Sequence, residues 1–161
     1  DMNKLRIIGI IFFIFSIMTT IQAQSYNRLW KQVEEQEKKD LPKSVIAEAQ
    51  KIFKKAEAEK NVPQMMKAYL TMMAYRGEIA PDSIEVDRNY LREWAEDKAA
   101  SVVDKAVLHS ILAGLYIEQD FEKGNAYLLA SLKDSLTLFE YPAGKLVPMV
   151  KVGATSRLYF R

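Results

Sequence analysis

The residues of this chain that could do chemistry are few, and they form no catalytic or metal-binding pattern. His109 is the single histidine, and cysteine does not occur among the 161 residues. A lone imidazole cannot supply a two-histidine metal site, and on a helix Ser110 projects about 100° away from its neighbour His109. The sequence also contains no Gly-rich phosphate loop and no H-E-x-x-H. We therefore expect His109 to be a partly buried packing residue, and we expect no catalytic residue, no metal ligand and no cofactor.

A run of charge in the first part of the chain allows two interpretations. Glu34, Glu35 and Glu37 precede Lys38 and Lys39, and clustered carboxylates can bind a cation. On a helix, however, such a run is typical of a solvated face with pairs four residues apart, here Glu34 with Lys38 and Glu35 with Lys39. We favour the solvated face.

Methionines and aromatic residues are the best candidates for contact with a partner. A methionine-rich surface can act as an adaptable groove, whereas methionines at helical spacing pack in a core. For the four methionines between residues 65 and 73 we favour the core. The aromatic residues predict packing between helices in the same way, with contact to a peptide or a neighbouring domain as the alternative. The possible partner-contact residues are Trp30, Met65, Met72, Tyr75 and Trp94.

The beginning of the chain predicts a secretory signal peptide. Lys4 and Arg6 precede a twelve-residue stretch of apolar character, from Ile7 to Met18, and a more polar segment then leads to the small residue Ala23. An uncleaved anchor is the alternative, but a helix of that length rises about 18 Å, against a hydrocarbon core of roughly 30 Å. We place the cut after Ala23 and expect an exported protein, in the periplasm or outer cell envelope, that meets the membrane only transiently.

The composition of the remaining 138 residues limits the class of partner. Of the 23 basic and 21 acidic residues, Lys4, Arg6 and Asp1 fall in the first 23 positions, which leaves 21 basic and 20 acidic residues in the mature segment. This balance gives no reason to expect nucleic acid as a partner. No small-molecule substrate is evident, so we expect a protein partner. Without cysteine there is no disulfide, and stability must come from apolar packing.

Three prolines mark the helices that hold these residues. Pro42, Pro63 and Pro81 lie about twenty residues apart, and proline is tolerated in the first turn of a helix. The pattern predicts helices from about Tyr26 to Lys39, from Pro42 to about Lys60 and from Pro63 to about Ile79. The second and third are separated by so short a link that they must be antiparallel neighbours.

Three further helical patterns follow. Asp82 with Glu85 and Ser101 with Asp104 are predicted capping pairs. The apolar residues that we assign to the interior of the fourth to sixth helices are Ile84, Val86, Tyr90, Leu91, Trp94; Val103, Val107, Ile111, Leu115; and Leu128, Leu132, Leu136, Phe139.

The predicted fold class is all-α. Antiparallel helical hairpins stack in a solenoid-like manner, similar to tetratricopeptide repeats in architecture although that consensus cannot be traced, with about six helices after the signal peptide. The predicted organisation is a signal peptide at 1–23, a helical-hairpin domain at 24–141, and an irregular or incomplete segment at 142–161 that leads to a missing downstream domain. We expect the chain to be a fragment, because Leu158, Tyr159 and Phe160 resume apolar character where it stops.

One segment, Ser25 to Ala68, contains a set of residues that together are typical of a known family. They are Tyr26, Leu29, Trp30, Lys31, Val33, Leu41, Pro42, Lys43, Ser44, Pro63 and Gln64. Through these residues the segment resembles the N-terminal helical region of the large alpha-2-macroglobulin-like proteins exported by Bacteroidetes. The resemblance continues in residues 106–116 and in 155–160, so it covers most of the mature segment.

This resemblance implies macroglobulin domains after the helical region, and trapping or inhibition of proteases at the cell envelope. Neither a thioester Cys-Gly-Glu-Gln nor a bait segment occurs in these residues, so no functional residue can be carried over. The first hypothesis is therefore a non-catalytic helical module whose partners are the downstream domains of the same chain, a protease or an envelope protein.

Two other classes of function are open. A stand-alone secreted scaffold that binds a peptide or an outer-membrane protein would need a polar final helix, which Leu158, Tyr159 and Phe160 argue against. A small envelope hydrolase would need a nucleophile, a base and a group that orients the base, and the sequence provides no such set.

Export of the chain in a bacterial host is expected to release a product that begins at Gln24, because Ala23 is a small residue after the polar end of the signal pattern. N-terminal sequencing and intact mass measure this start. As a control, Ala23→Phe should leave the chain uncleaved, since signal peptidase requires a small residue there. A full-length product that stays in the membrane fraction would instead support the anchor.

Overall fold

The computed structural model describes residues 25–97 and 101–133, and this part of the chain folds into six helices without a strand. The predicted all-α class is confirmed, and each helix packs against its neighbour in sequence. The predicted signal peptide (1–23) and the irregular segment (142–161) lie outside the described residues. The helices are α1 (25–38), α2 (Pro42–Ala58), α3 (Val62–Ile79), α4 (Ser83–Glu96), α5 (Val102–Tyr116) and α6 (Phe121–Leu132).

The first two reversals of the chain use the same local structure. Asp40 after α1 and Lys60 after α2 have φ of 54° and 53°, a left-handed conformation that is unfavourable for residues other than glycine. The hydrogen bonds of a Schellman ending offset that strain, since the Asn61 N–H donates to the Ala56 carbonyl at 2.8 Å. A proline then stands in the first turn of the next helix in both cases. The short links make α1, α2 and α3 antiparallel neighbours in succession.

The core lies between α2 and α3 and extends to one face of each neighbouring helix. The apolar residues of α2 at three- and four-residue steps are all buried, and so are four residues on one stripe of α3. Trp30 and Val33 from α1, Leu91 from α4 and Leu112 from α5 also belong to this cluster. The buried residues of α2 and of this stripe of α3 are Val45, Ala49, Ile52, Phe53, Ala56; Met66, Tyr69, Leu70 and Met73.

Helix α4 differs from the prediction at three positions. Val86 and Tyr90 were expected in the interior, but their side chains are 68% and 37% exposed, because none of the described helices covers that side of α4. Asp82 is the N-cap residue without a side-chain capping bond, since its backbone is already helical there. The other predicted cap is confirmed: the Ser101 hydroxyl accepts from the Asp104 N–H at 3.1 Å, and the Asp104 carboxylate accepts from the Ser101 N–H at 3.3 Å.

Helix α6 was predicted with the wrong face inward. Leu128 and Leu132 are 41% and 54% exposed, whereas Gly124 and Ser131 are the buried residues. Small residues permit a close approach of α6 to the end of α5, so the helix buries its least apolar side. Leu136 and Phe139, the remainder of the predicted stripe, lie outside the described residues.

Gly124 is required by that close approach. A Cβ atom at this position would lie 2.6 Å from Ile117 Cα and 2.7 Å from Ile117 N, both backbone atoms that cannot rotate away. At Gly77 in α3, the nearest atom to such a Cβ is the side-chain Cγ1 of Ile84 at 3.4 Å, which is ordinary contact.

Gly124→Ala is expected to lower the free energy of unfolding by about 1–3 kcal/mol, because the methyl group forces α5 and α6 apart. Gly77→Ala is the matched control, and we expect it to raise stability by up to about 1 kcal/mol, the usual gain of alanine over glycine within a helix. Urea denaturation followed by circular dichroism measures both. Equal stabilisation by the two substitutions would contradict the close approach.

Candidate interaction surfaces

A row of four aromatic rings runs from the core to the surface across α2, α3 and α4. We call Phe53, Tyr69, Tyr90 and Trp94 the aromatic row. Successive ring centroids are 6.0, 4.4 and 6.0 Å apart, and Tyr69 and Tyr90 are stacked. Phe53 and Tyr69 are each 8% exposed, whereas Tyr90 is 37% exposed and Trp94 is half-buried. The row therefore ends at the surface in two partly exposed aromatic side chains.

A buried carboxylate holds this row in position. Asp87 in α4 is 4% exposed, and it accepts a hydrogen bond from the Tyr69 hydroxyl at 2.8 Å. Arg76 in α3 forms a bidentate ion pair with the same carboxylate, with Nε at 3.2 Å from Oδ2 and an Nη atom bonded to Oδ1. Burial, and then the hydrogen bond to Asp87, raise the pKa of Tyr69 well above its usual range. The Tyr69 hydroxyl thus stays protonated and donates its hydrogen bond to Asp87, and these bonds connect α3 to α4.

Val86 adds apolar area next to the exposed end of the row. It lies one helical turn before Tyr90 and so on the same side of α4, with 68% of its surface exposed. Val86 and Tyr90 were not among the predicted contact residues, because apolar residues four positions apart look like a core stripe. Within the patch of Val86, Tyr90 and Trp94, tyrosine and tryptophan are residue types enriched among those that dominate binding energy at protein interfaces.

The five predicted contact residues occupy different environments. Trp94 belongs to the aromatic row, whereas Trp30 and Met72 are 9% and 2% exposed and pack in the core. Trp30 Nε1 donates to Gln64 Oε1 at 2.7 Å. Met65 and Tyr75 are partly buried, and the Tyr75 hydroxyl donates to Glu37 at 3.0 Å.

The methionine cluster is mainly part of the core. Met66, Met72 and Met73 are 1%, 2% and 4% exposed, and Met65 packs against them from a partly buried position. The preferred interpretation of these residues as core is confirmed for the first three, since a groove would require them at the surface.

His109 is a partly buried packing residue, as the sequence predicted. Its ring centroid is 5.9 Å from that of Tyr127 in α6. Burial, and then the charge of Lys105, lower its pKa below the ordinary value, and the carboxylate of Glu96 opposes this shift. Among residues 25–97 and 101–133 no group of three metal-ligating side chains comes together.

The acidic and basic run of α1 lies on the solvent side, but the predicted pairs do not form. Glu34, Glu35 and Lys38 are exposed, and neither Glu34 with Lys38 nor Glu35 with Lys39 is an ion pair within 4 Å in the described chain. Exposed lysines gain little from such pairs and retain their side-chain entropy in solvent.

A second cluster of charge and aromatic rings joins α4, α5 and α6. Arg88 donates to the carbonyl of Leu115 at 2.9 Å, which places a cation at the C-terminal end of α5, where the helix dipole favours it. The Arg88 guanidinium lies 4.9 Å from the Tyr116 ring centroid, and Lys123 Nζ lies 3.9 Å from it. Tyr116 also stacks on Tyr127 at 5.8 Å. These contacts fix the orientation of α6.

The opposite side of α6 is an apolar ridge that none of the described helices covers. We call Phe121, Leu128, Leu129 and Leu132 the α6 ridge, and they are 69%, 41%, 62% and 54% exposed. This exposure equals about two complete apolar side chains, so covering the ridge is worth about 3–6 kcal/mol.

None of the described helices is long and apolar enough to cross a membrane. Comparison of the chain with protein-family models, with curated proteins and with solved structures gives no match.

Asp87→Ala is expected to lower the free energy of unfolding by about 3–5 kcal/mol, because the buried Tyr69 hydroxyl and Arg76 both lose their partner. The matched control is Glu48→Ala, which removes the exposed ion pair with Lys51 and should cost less than about 1 kcal/mol. Urea denaturation measures both changes. A loss at Asp87 no larger than that at Glu48 would show that the network does not join α3 to α4.

Proposed function

We propose that this chain is the non-catalytic N-terminal helical module of an exported alpha-2-macroglobulin-like, protease-trapping envelope protein, and that it docks another protein domain. The single observation that carries the docking role is the exposed end of the aromatic row, Tyr90 and Trp94, with Val86 beside it. In this proposal the docked partner is a downstream domain of the same protein, and a captured protease or an envelope protein is the wider target.

The rigidity of the row favours binding over catalysis. Stacking of Tyr69 on Tyr90 and the Asp87 network restrict both side chains before a partner arrives, so little conformational entropy remains to be lost on binding. An aromatic end surrounded by the polar Asn89 and Glu93 of the same helix also matches the division of protein interfaces into an apolar centre and a polar rim.

The resemblance supports the larger context, because the residues that carry it build the first three helices. Trp30 and Val33 lie in the core, and Pro42 and Pro63 stand in the first turns of α2 and α3. Export is supported by the sequence of residues 1–23, with its basic start and apolar stretch.

The alternative is a stand-alone secreted scaffold with the same aromatic surface, which would bind a peptide or an outer-membrane protein. The exposed end of the row favours this second function equally, since it needs only a protein partner. The two proposals differ in the sequence that the gene encodes beyond Arg161: β-rich domains there support the first, and a stop codon supports the second.

The native protein provides the decisive test. An antibody against this chain should detect, in the envelope fraction of the source organism, a polypeptide several times larger than 18.5 kDa, and protease added to that fraction should stay bound to it in a form that still cleaves small substrates. A single band at or below 18.5 kDa would overturn the larger-protein proposal.

The docking surface is tested in the same large protein by maleimide labelling of Val86→Cys, read by mass spectrometry from the peptides of this 161-residue segment, in which no other cysteine occurs. We expect labelling at least about tenfold slower in the large species than in the isolated 161-residue chain, because a docked domain excludes the reagent. Leu41→Cys is the matched control, since Leu41 is 44% exposed in the turn after α1, and it should label equally in both. Equal rates for Val86→Cys would contradict docking at the aromatic row.

A further inference from the structure

The exposed charge of α4, the helix that carries the outer end of the aromatic row, is entirely acidic. Its two arginines are engaged within the protein: Arg88 is 8% exposed and donates to a backbone carbonyl of α5, and Arg92 donates to the side chain of Asn89. The exposed charged residues of α4 and of its two cap positions are all carboxylates, namely Asp82, Glu85, Glu93, Glu96 and Asp97. This side of the protein therefore combines negative charge with apolar area.

A carboxylate of α2 also acts on the exposed end of the row. Burial, and then the charge of Glu57, raise the pKa of the Tyr90 hydroxyl above its ordinary value. Glu93 follows Tyr90 by three positions and so lies on the same side of α4. Both glutamates are exposed, and neither forms an ion pair within the described residues. Two helices thus each place an unpaired carboxylate beside the end of the row.

The rings at the end of the row also differ from the buried rings in their contact with cations. A cation is attracted to the face of an aromatic ring when it lies within about 6 Å of the ring centre. Four buried rings have such a cation at 3.9 to 5.3 Å, whereas in the described part of the chain neither Tyr90 nor Trp94 has one. The four pairings are Tyr26 with Lys55, Trp30 with Lys67, Tyr69 with Arg76, and Tyr116 with Arg88 and Lys123.

We propose that the partner docked at the aromatic row presents a basic segment, in which an arginine side chain packs against Tyr90 and Trp94 and its guanidinium faces Glu57 and Glu93. This inference rests on the proposed docking function and specifies the chemistry of the docked surface. Arginine fits better than lysine, because its planar guanidinium stacks on aromatic rings and is more weakly hydrated. Arginine is also enriched among the residues that contribute most to binding at protein interfaces.

Partners of other chemistry fit this surface less well. An acidic segment would bring like charges next to Glu57 and Glu93, which weakens binding. A purely apolar segment would cover the rings, but it would also take the carboxylates out of water without giving them a partner. A basic segment pairs with both carboxylates, and the methylene stem of an arginine can cover Val86 at the same time.

Titration of the full 161-residue chain with four short peptides, followed by NMR, tests this recognition. Each peptide has six residues, two of which are arginine, citrulline, lysine or glutamate among alanine and leucine; citrulline has nearly the shape of arginine but no charge. The indole N–H signal of Trp94 is the readout. Trp30, the other tryptophan of the chain, is the internal control, because it is 9% exposed and its indole is bonded to Gln64.

We expect the arginine peptide to shift the Trp94 signal and to leave the Trp30 signal in place. Its dissociation constant should be at least about fivefold lower than that of the citrulline peptide, since the charge contributes both the contact with the rings and the ion pairs. The lysine peptide should bind with intermediate affinity, and the glutamate peptide should bind least.

Two pairs of glutamine substitutions locate the charged contact. Glu57→Gln with Glu93→Gln should weaken binding of the arginine peptide at least about fivefold. Glu34→Gln with Glu35→Gln is the matched control, because it changes the net charge equally on the exposed side of α1, and it should have less than about a twofold effect. Raised salt should weaken binding to the unaltered chain, since it screens the charges.

Four results would overturn the proposal: no shift of the Trp94 signal at millimolar arginine peptide, equal affinity for the arginine and citrulline peptides, a lysine peptide that binds as tightly as the arginine peptide, or equal weakening by the two glutamine pairs. Failure of docking is measured separately, by Val86→Cys in the large protein. If Val86→Cys is protected there and one of these four results is found, docking stands and its arginine partner does not.

Discussion

The buried carboxylate of Asp87 is the interaction on which the remaining structure depends. Helices α2 and α3 pack against each other through apolar side chains. Between α3 and α4, by contrast, the Tyr69 and Arg76 side chains of α3 both hydrogen-bond to Asp87 of α4. A charge at 4% exposure is tolerated only when its partners are in place. The network therefore sets the angle at which the second half of the stack leaves the first.

The orientation of α4 in turn positions the aromatic row. Tyr90 stacks on Tyr69, and Trp94 meets Tyr90 edge to face. A rotation of α4 about its axis would break the Asp87 bonds and separate these rings together. Fold stability and the docking surface are thus coupled through Tyr69, which donates a hydrogen bond with its hydroxyl and stacks with its ring.

Much of the fold could be predicted from the sequence, because the interior of α2 and α3 follows the helical period closely. All five residues of the α2 face are buried, and the prolines mark the starts of α2 and α3. Capping was less predictable: Ser101 caps α5 and Asp82 leaves α4 uncapped, although both begin a suitable four-residue pattern. Capping depends on the backbone conformation of the cap residue, which the pattern does not contain.

The surfaces were harder to predict, for a reason that α6 makes clear. A helical period identifies which residues share a side, but it cannot say whether another element covers that side. At Leu128 and Leu132 the apolar stripe is real and faces outward, because Gly124 lets α6 approach Ile117 with its opposite side. The same ambiguity makes the mispredicted residues informative. Val86 in α4 and the ridge of α6 are apolar residues at helical spacing that the described helices leave uncovered. Contiguous exposed apolar side chains of this kind are the surfaces on which our docking proposal is based. The two stripes lie on different helices and differ in character: a buried ion pair fixes the aromatic end on α4, whereas the α6 ridge consists of one phenylalanine and three leucines.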